Sequence, residues 1–479
     1  MAFESTKATI KQTKFLTKAK IEFEKEIEFD YDRKNILSIN QYSRILNKQV
    51  NDGVLHVSGK TKVDISLIVD NEAKNVLKEI EWDKDLDLST MDNIIVDIVD
   101  DAFVSLTDEN IVKGYVNLCV ESEVVNVIPS VVVENSDIIF KEQEQALVSC
   151  VGFVNNSFTL TQELEGKFNI SVLSKSAKLD LVKVTCGVDS YIVEGKVNVG
   201  LFVKDQDEIY EVKKELDFRQ ELPFNGLLPT HKIFNKLKVS TFIVTVVNGE
   251  EKSNIIIALD LEDTAKAYSD ENVTTFADAY STKNELITSE ECVNVVESVA
   301  VTSQEIQVSD NIVTDDLDLQ EIVFIDAINI TNITTNNDKF LFDLKYNIVY
   351  RSKDNEIKSM NKVLHVEENK SKNLVLWNHE VNNYTYKLKY TNEIEISFAL
   401  KLTALDTTEK YMVYISDLKL GEAYSEEVPA ISVYVAKEGQ EIYDIAKTMH
   451  VDVEKIRSQN DGIDASMTAG QKIIVYNKL

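Results

Sequence analysis

Cysteine is scarce in this chain of 479 residues, and what there is lies far apart. Cys119, Cys150, Cys186 and Cys292 form no CxxC pair and no cluster with histidine. That excludes a disulfide framework and a zinc knuckle, and it reads as free thiols in a reducing compartment. Proline (4) and glycine (14) are also few, so long flexible linkers are excluded and neighbouring domains should be joined closely. The five histidines, His56, His231, His365, His379 and His450, are never paired at metal-ligand spacing. His379-Glu380 lacks the second histidine of a zinc helix. No apolar run approaches the roughly 18 residues that span a bilayer. The opening MAFESTKATIKQTKFLTKAK has no apolar signal core, so a cytoplasmic location is expected. Positive charge is the other deficit: 51 basic against 81 acidic residues give −30. Such a field repels nucleic acid and anionic lipid, because phosphate binding needs clustered Lys and Arg.

Catalytic signatures are missing as well. Gly59-Lys60, Gly166-Lys167 and Gly195-Lys196 look like fragments of a phosphate loop. Val54, Thr161 and Ser190 stand where the loop's first glycine would be, and the pairs fall inside strand patterns. These glycines read instead as bulges or close backbone approaches. There is no Gly-x-Ser-x-Gly elbow, and carboxylates are too abundant for any pair to stand out. The chain is expected to be no enzyme, with no catalytic residue, cofactor or metal.

What is present is apolar alternation. Hydrophobic residues make up 44%, enough for sizeable cores. Val54–Leu88, Ser190–Phe224 and Asp338–Asn369 share one pattern of strand, acidic turn and strand. The turns are Asp70-Asn71-Glu72, Asp205-Gln206-Asp207 and Asp354-Asn355-Glu356. Period-2 alternation around Asp/Asn turns predicts β-hairpins with one buried face. Gly59 and Gly195 are 136 residues apart, and Asp343 follows 148 later, so the repeat is domain-sized. Further strand patterns surround each hairpin. The expected fold is mainly β: three tandem sandwich or barrel-like domains at 1–128, 129–285 and 286–428. Trp82 and Trp377 are expected to pack in cores.

Residues 429–479 differ. Tyr434 and Val435 sit in a short strand, and Gly439 turns the chain into a helix. Ile442, Ile445, Ala446 and Met449 then follow at i, i+3, i+4 and i+7, one buried face. Asp452 is placed to cap a second helix carrying Val453 and Ile456, which stops near Asn460. Gly470-Gln471 leads into a last strand, Lys472–Tyr476. The expected unit is strand–helix–helix–strand, held by a short acidic tether, Gly421–Ala430, near the third repeat.

The order and spacing of Tyr434, Val435, Gly439, Ile445, Ala446, Asn460, Gly470, Gln471, Ile473 and Val475 resemble a LysM module. The resemblance implies a binding groove between two loops, here Gly439, Gln440, Glu441 and Ile442 on one side and Asn460, Asp461, Gly462 and Ile463 on the other. The usual Gly-Asp-Thr is Gly439-Gln440-Glu441, and Tyr476 replaces the closing proline. Losing the threonine hydroxyl removes a helix cap and a sugar contact, which points the groove towards protein. Repeated acidic β-domains before one such module resemble the SipL-type spore morphogenesis proteins of endospore formers. The middle repeat carries that family's pattern in Val193-Glu194-Gly195-Lys196-Val197 and Leu222-Pro223-Phe224, while the first lacks Pro-Phe and the third lacks the glycine too. The resemblance implies a non-enzymatic scaffold or adaptor in spore coat assembly, on the mother-cell side of the forespore surface. It would bind a coat morphogenetic ATPase through its LysM module. Two alternatives stay open: a glycan (peptidoglycan or N-acetylglucosamine) binder of a cell wall or phage structure, and a self-assembling β-protein.

Overall fold

The computed structural model describes residues 4–70, 72–88, 94–132, 137–167, 169–205, 208–313, 319–336, 338–369, 374–390, 392–424, 429–463 and 466–476. The fold is mainly β. Among the described residues, hydrogen bonding sorts eighteen strands into six three-stranded sheets, and in chain order these fall into three units of two sheets with the same wiring. The first unit holds β1 (Glu4–Glu26), β2 (Ile36–Asn51), β3 (Val54–Val69), β4 (Glu72–Asp87), β5 (Ile94–Leu106) and β6 (Ile111–Val132). The second holds β7 (Ile138–Gly166), β8 (Ile170–Cys186), β9 (Ser190–Asp205), β10 (Glu208–Pro223), β11 (Lys232–Asn248) and β12 (Ser253–Ser281). The third holds β13 (Asn284–Val313), β14 (Leu319–Thr335), β15 (Lys339–Ser352), β16 (Ile357–Asn369), β17 (Leu374–Tyr390) and β18 (Glu393–Ala423).

In each unit the second, third and fourth strands form a meander: β2-β3-β4, β8-β9-β10 and β14-β15-β16. The last strand of each unit lies between the first and the fifth: β1-β6-β5, β7-β12-β11 and β13-β18-β17. The hairpins read from the alternation are β3–β4, β9–β10 and β15–β16. Of their turn residues, Asn71, Gln206 and Asp207 lie outside the described residues. Alternate residues of the two sheets meet in one core per unit. Leu55, Val57, Val63 and Ile65 meet Val112, Val116 and Leu118 in the first. Tyr191, Val197 and Leu201 meet Ile257 and Leu259 in the second, and Leu344, Tyr346 and Ile348 meet Ile396 and Phe398 in the third. Buried-face alternation of this kind fixes register, because a slip by one residue would turn every apolar side chain to water.

The outer strands outrun the sandwiches. Beyond the reach of their fifth-strand partners, β1 with β6, β7 with β12 and β13 with β18 continue as two-stranded ribbons. The ribbons converge on a shared apolar core that takes Ile10 and Ile128 from the first unit, Leu147 and Val273 from the second, and Val295, Met412 and Tyr414 from the third. An isolated two-stranded ribbon is marginal in water, and burying one face of each against the other two removes that weakness. The backbone N–H of Lys11 donates to Ser149 Oγ (3.1 Å) and Lys410 Nζ to the Ala146 carbonyl (2.9 Å), tying ribbon to ribbon.

The sandwiches also touch one another on three seams. Lys175 Nζ lies 2.5 Å from Asp64 Oδ2, and Lys236 Nζ 3.1 Å from Asp97, across the first and second units. Ser174 donates to Asp326 (2.7 Å) across the second and third. Asn347 Nδ2 donates to the Leu37 carbonyl (2.6 Å) and Tyr115 to Asn332 (2.8 Å) across the first and third. Leu37, Leu173, Phe324 and Val349 close a small core where the three units meet. Three seams join the three units pairwise, and the ribbons run on beyond them as a stalk.

Candidate functional site

The terminal module rests at the far end of that stalk. It comprises β19 (Ile431–Val435), α1 (Ile442–Met449), α2 (Val453–Gln459) and β20 (Lys472–Tyr476). The strands pair antiparallel, and Ile473 and Val475 turn their side chains onto the helices. The module's core is Ala436, Ile442, Tyr443, Ile445, Ala446, Val451, Ile456, Met467, Ile473 and Val475. Asp452 caps α2, its carboxylate accepting from the Glu454 N–H at 2.7 Å. At the start of α1, Glu441 is the cap residue but makes no side-chain cap bond. His450 ends α1 in the left-handed region (φ 54°), which lets the Val451 N–H reach back to the Ala446 carbonyl (3.1 Å).

The eight groove residues fall into two classes. Gly439, Glu441, Asp461 and Gly462 are exposed, and Gln440 and Ile463 half-exposed. Gly439 and Gln440 exchange backbone hydrogen bonds with Met467 (2.9 Å each), so the first loop is stitched to the chain that follows the second. Among the described residues no hydrogen bond joins the two loops directly. Ile442 is not on the groove surface: it is 5% exposed and belongs to the core. Asn460 is consumed by the fold. Its Nδ2 donates to the Ile456 and Ile474 carbonyls (2.9 and 2.7 Å), and its Oδ1 accepts from the Ile474 N–H (2.8 Å). Gln440 is also engaged, donating to the Tyr434 hydroxyl (2.8 Å) and accepting from the Lys437 N–H (3.1 Å).

The seat of the module was not legible in the sequence. Tyr280, on the ribbon of the second unit, donates to the Val451 carbonyl at 2.7 Å and meets the Tyr443 ring edge-on, centroids 5.3 Å apart. Burial pushes both phenols well above the ordinary tyrosine range. Lys447 pairs with Asp278 (2.6 Å), and Glu441 with Lys141 (2.5 Å), whose ammonium it holds above its ordinary pKa by accepting a hydrogen bond. Tyr424, just past β18, packs its ring against His450, centroids 3.9 Å apart and planes tilted by 33°. The tether was expected to keep the module beside the third repeat; Tyr424 touches it, but the second unit's ribbon supplies most of the seat. Residues 425–428 of the tether lie outside the described residues. Tyr280 and Val451 are 171 positions apart, so no local pattern links them.

Among the described residues, no three His, Cys, Asp or Glu side chains are grouped to hold a metal ion, and no helix is long and apolar enough to cross a membrane. No family model, no curated protein and no solved structure matches the chain.

Proposed function

We propose that the chain is a non-enzymatic adaptor whose terminal module binds a protein partner while the three β-units act as its mount. The observation that carries this reading is the seat. A small strand–helix–helix–strand unit is seated on the end of the ribbon stalk by Tyr280, Tyr443, Asp278 and Lys141, with Gly439, Asp461 and Gly462 left facing solvent. Preorganisation of this kind lowers the entropy lost on association. Polar groups that would contact a sugar are already used: Gln440 by Tyr434, Glu441 by Lys141 and Asn460 by Ile474. That favours protein over glycan in the groove. The resemblance to SipL-type proteins adds the partner, a coat morphogenetic ATPase, and a place in spore coat assembly.

The test is retention of that purified ATPase by the immobilised full chain, compared with Asp461→Arg. Asp461 is exposed, so the variant folds, and its reversed charge should lower retention at least tenfold. Equal retention removes the groove from the interaction. Saturable sedimentation of the chain with peptidoglycan, competed by N-acetylglucosamine oligomers, would replace the protein reading with the glycan one.

A further inference from the structure

The two edges of the module's small sheet are treated differently. On β20 the outward backbone groups are covered. Asn460 takes the N–H and carbonyl of Ile474, and Gln459 takes those of Tyr476 (2.8 and 3.3 Å). Because Ile474 and Tyr476 spend their backbone groups there, their cross-strand partners Val433 and Ile431 cannot be hydrogen-bonded pairs with them. In an antiparallel ladder such residues aim their N–H and C=O away from the partner strand. The outer edge of β19 therefore presents the backbone groups of Ile431, Val433 and, by alternation, Val435. Among the described residues nothing pairs with them.

The side chains at those positions are bare as well. Ile431, Val433 and Val435 are 55%, 57% and 56% exposed, and Tyr476 beside them 39%. Three edge strands elsewhere in the chain are blunted by charge, the usual protection against adventitious strand pairing. β4 carries Lys78, Glu79 and Glu81, β10 carries Lys213, Lys214 and Glu215, and β16 carries Lys358 and Lys362. β19, reading Ile-Ser-Val-Tyr-Val, has no charge, no proline and no bulge. Of that protection β19 has none.

We propose that the outer edge of β19 is a strand-addition site for an extended, basic segment of a partner protein. Main-chain hydrogen bonds to Val433 would supply affinity, and alternate apolar residues of the incoming strand would cover Ile431, Val433 and Val435. Charge selects this occupant over a second copy. Residues 1–430 carry 45 basic and 74 acidic groups, and the tether entering β19 holds Glu422, Glu426 and Glu427. Two such bodies repel each other, whereas a lysine- or arginine-flanked strand is drawn in. The one charge among the described cross-strand pairs of this face is itself a cation, Lys472 opposite Val435, so the pull on a basic segment comes from the acidic body and not from the face. The site uses none of the eight groove residues, so it stands or falls separately from the partner proposed above.

The experiment uses the full chain and a short fluorescent peptide alternating lysine and valine, followed by anisotropy. A lysine–proline peptide of equal charge, which lacks half the donors, and a glutamate–valine peptide serve as comparisons. The lysine–valine peptide should bind at least tenfold more tightly than either, and binding should weaken as salt rises. Val433→Pro removes one outward donor without breaking the β19–β20 ladder and should weaken binding at least tenfold. Val433→Lys keeps the donor but adds a repelling cation on the face, and should weaken it as well. Equal binding of the lysine–valine and lysine–proline peptides, or binding unchanged in both variants, overturns the proposal. A dimer that strengthens with salt and disappears in Val433→Pro makes a second copy the occupant and overturns it too.

Discussion

Gly59 lies directly across the β3–β4 hairpin from Trp82, and a Cβ placed on it would come within 2.1 Å of the indole. The same pair recurs 136 residues later, where Gly195 faces Phe218 and a Cβ would meet the ring at 3.0 Å. In the third unit the pair has become a hydrogen-bonded one: Asp343 faces His365, 2.5 Å apart. Each glycine also sits opposite an irregularity in the second strand of its unit, near Ile45–Asn47 and Asp180–Lys183. The glycines are where an aromatic ring crosses a strand and the neighbouring backbone bends towards it.

From that geometry Gly59→Ala should cost about 3 kcal/mol, since Trp82 and the Arg44 carbonyl (2.5 Å from the new Cβ) would both have to move. Gly195→Ala should cost about 1 kcal/mol, because its contacts at 3.0–3.2 Å need only a small shift. Urea midpoints of the two variants check the ordering. Equal midpoints would mean that the aromatic crossing is not what demands glycine.

The seam between the first two units makes a second prediction. Lys175 and Asp64 are buried together, 2.5 Å apart. Removing one partner strands a charge away from water, so Asp64→Ala should destabilise the chain by about 3–5 kcal/mol. Asp64→Leu combined with Lys175→Met restores apolar packing and should cost much less. Because the seam joins them, the first and second units should lose structure in one transition, not two. Two separated transitions in the wild-type chain would show that the seam does not couple them.

The strands were legible because alternation records the side of the sheet on which each residue lies, and that is a local property. Val193, Val197, Val199 and Leu201 read as one buried face in the sequence and form one. The repeat was legible through Gly59 and Gly195, and in the third unit only through the hairpin around Asp343. The three-way junction was not, since Leu37, Leu173 and Phe324 meet over separations of more than a hundred residues. At the module, spacing located the helices and the Asp452 cap. The resemblance placed Ile442 and Asn460 in a groove, although the helical spacing had already put Ile442 on the buried face, and a loop amide does not reveal in sequence whether it faces water. Ile442 is core, and Asn460 staples α2 to β20.

Acid stability should rest on two buried groups that work in opposite directions. Burial raises the Asp263 carboxyl to about 6, against hydrogen bonds from Tyr191 (2.6 Å) and Asn235 (2.8 Å) that favour the anion. A folded pKa above the unfolded one, ordinarily about 4, gives stability that is complete below pH 4 and lost as pH rises through 6, about 3 kcal/mol for a shift of this size. Burial depresses His379 to about 4, with its ring nitrogen 3.2 Å from the Val99 carbonyl. A folded pKa below the unfolded one gives stability that is present above pH 6.5 and lost as pH falls through 4. Between pH 4 and 6.5 the two contributions offset one another. Asp263→Asn should therefore make the chain more sensitive to acid, and His379→Gln less. Urea midpoints at pH 4.5 and pH 7 measure both slopes, and slopes of the same sign in the two variants would refute the assignment.

The seat of the module is the last test, and magnitudes decide which contact matters. The Lys141–Glu441 and Lys447–Asp278 pairs are largely exposed, and such pairs contribute about 0–1 kcal/mol each. Tyr280 is buried, packs edge-on against Tyr443 and donates to Val451. Aromatic burial at about 25 cal/mol per Å² with one buried hydrogen bond amounts to several kcal/mol. Lys141→Ala should thus leave the module docked, whereas Tyr280→Ala should release it on its tether. Tyr280→Phe, which keeps the ring and loses only the hydrogen bond, should fall between them. Backbone ¹⁵N relaxation separates the outcomes: amides of α1 and α2 tumble with the whole chain while docked and several times faster when released. If the Tyr280→Ala module kept the slow tumbling of the body, the seat would have to lie elsewhere, with Tyr424 and His450 the next contact to remove.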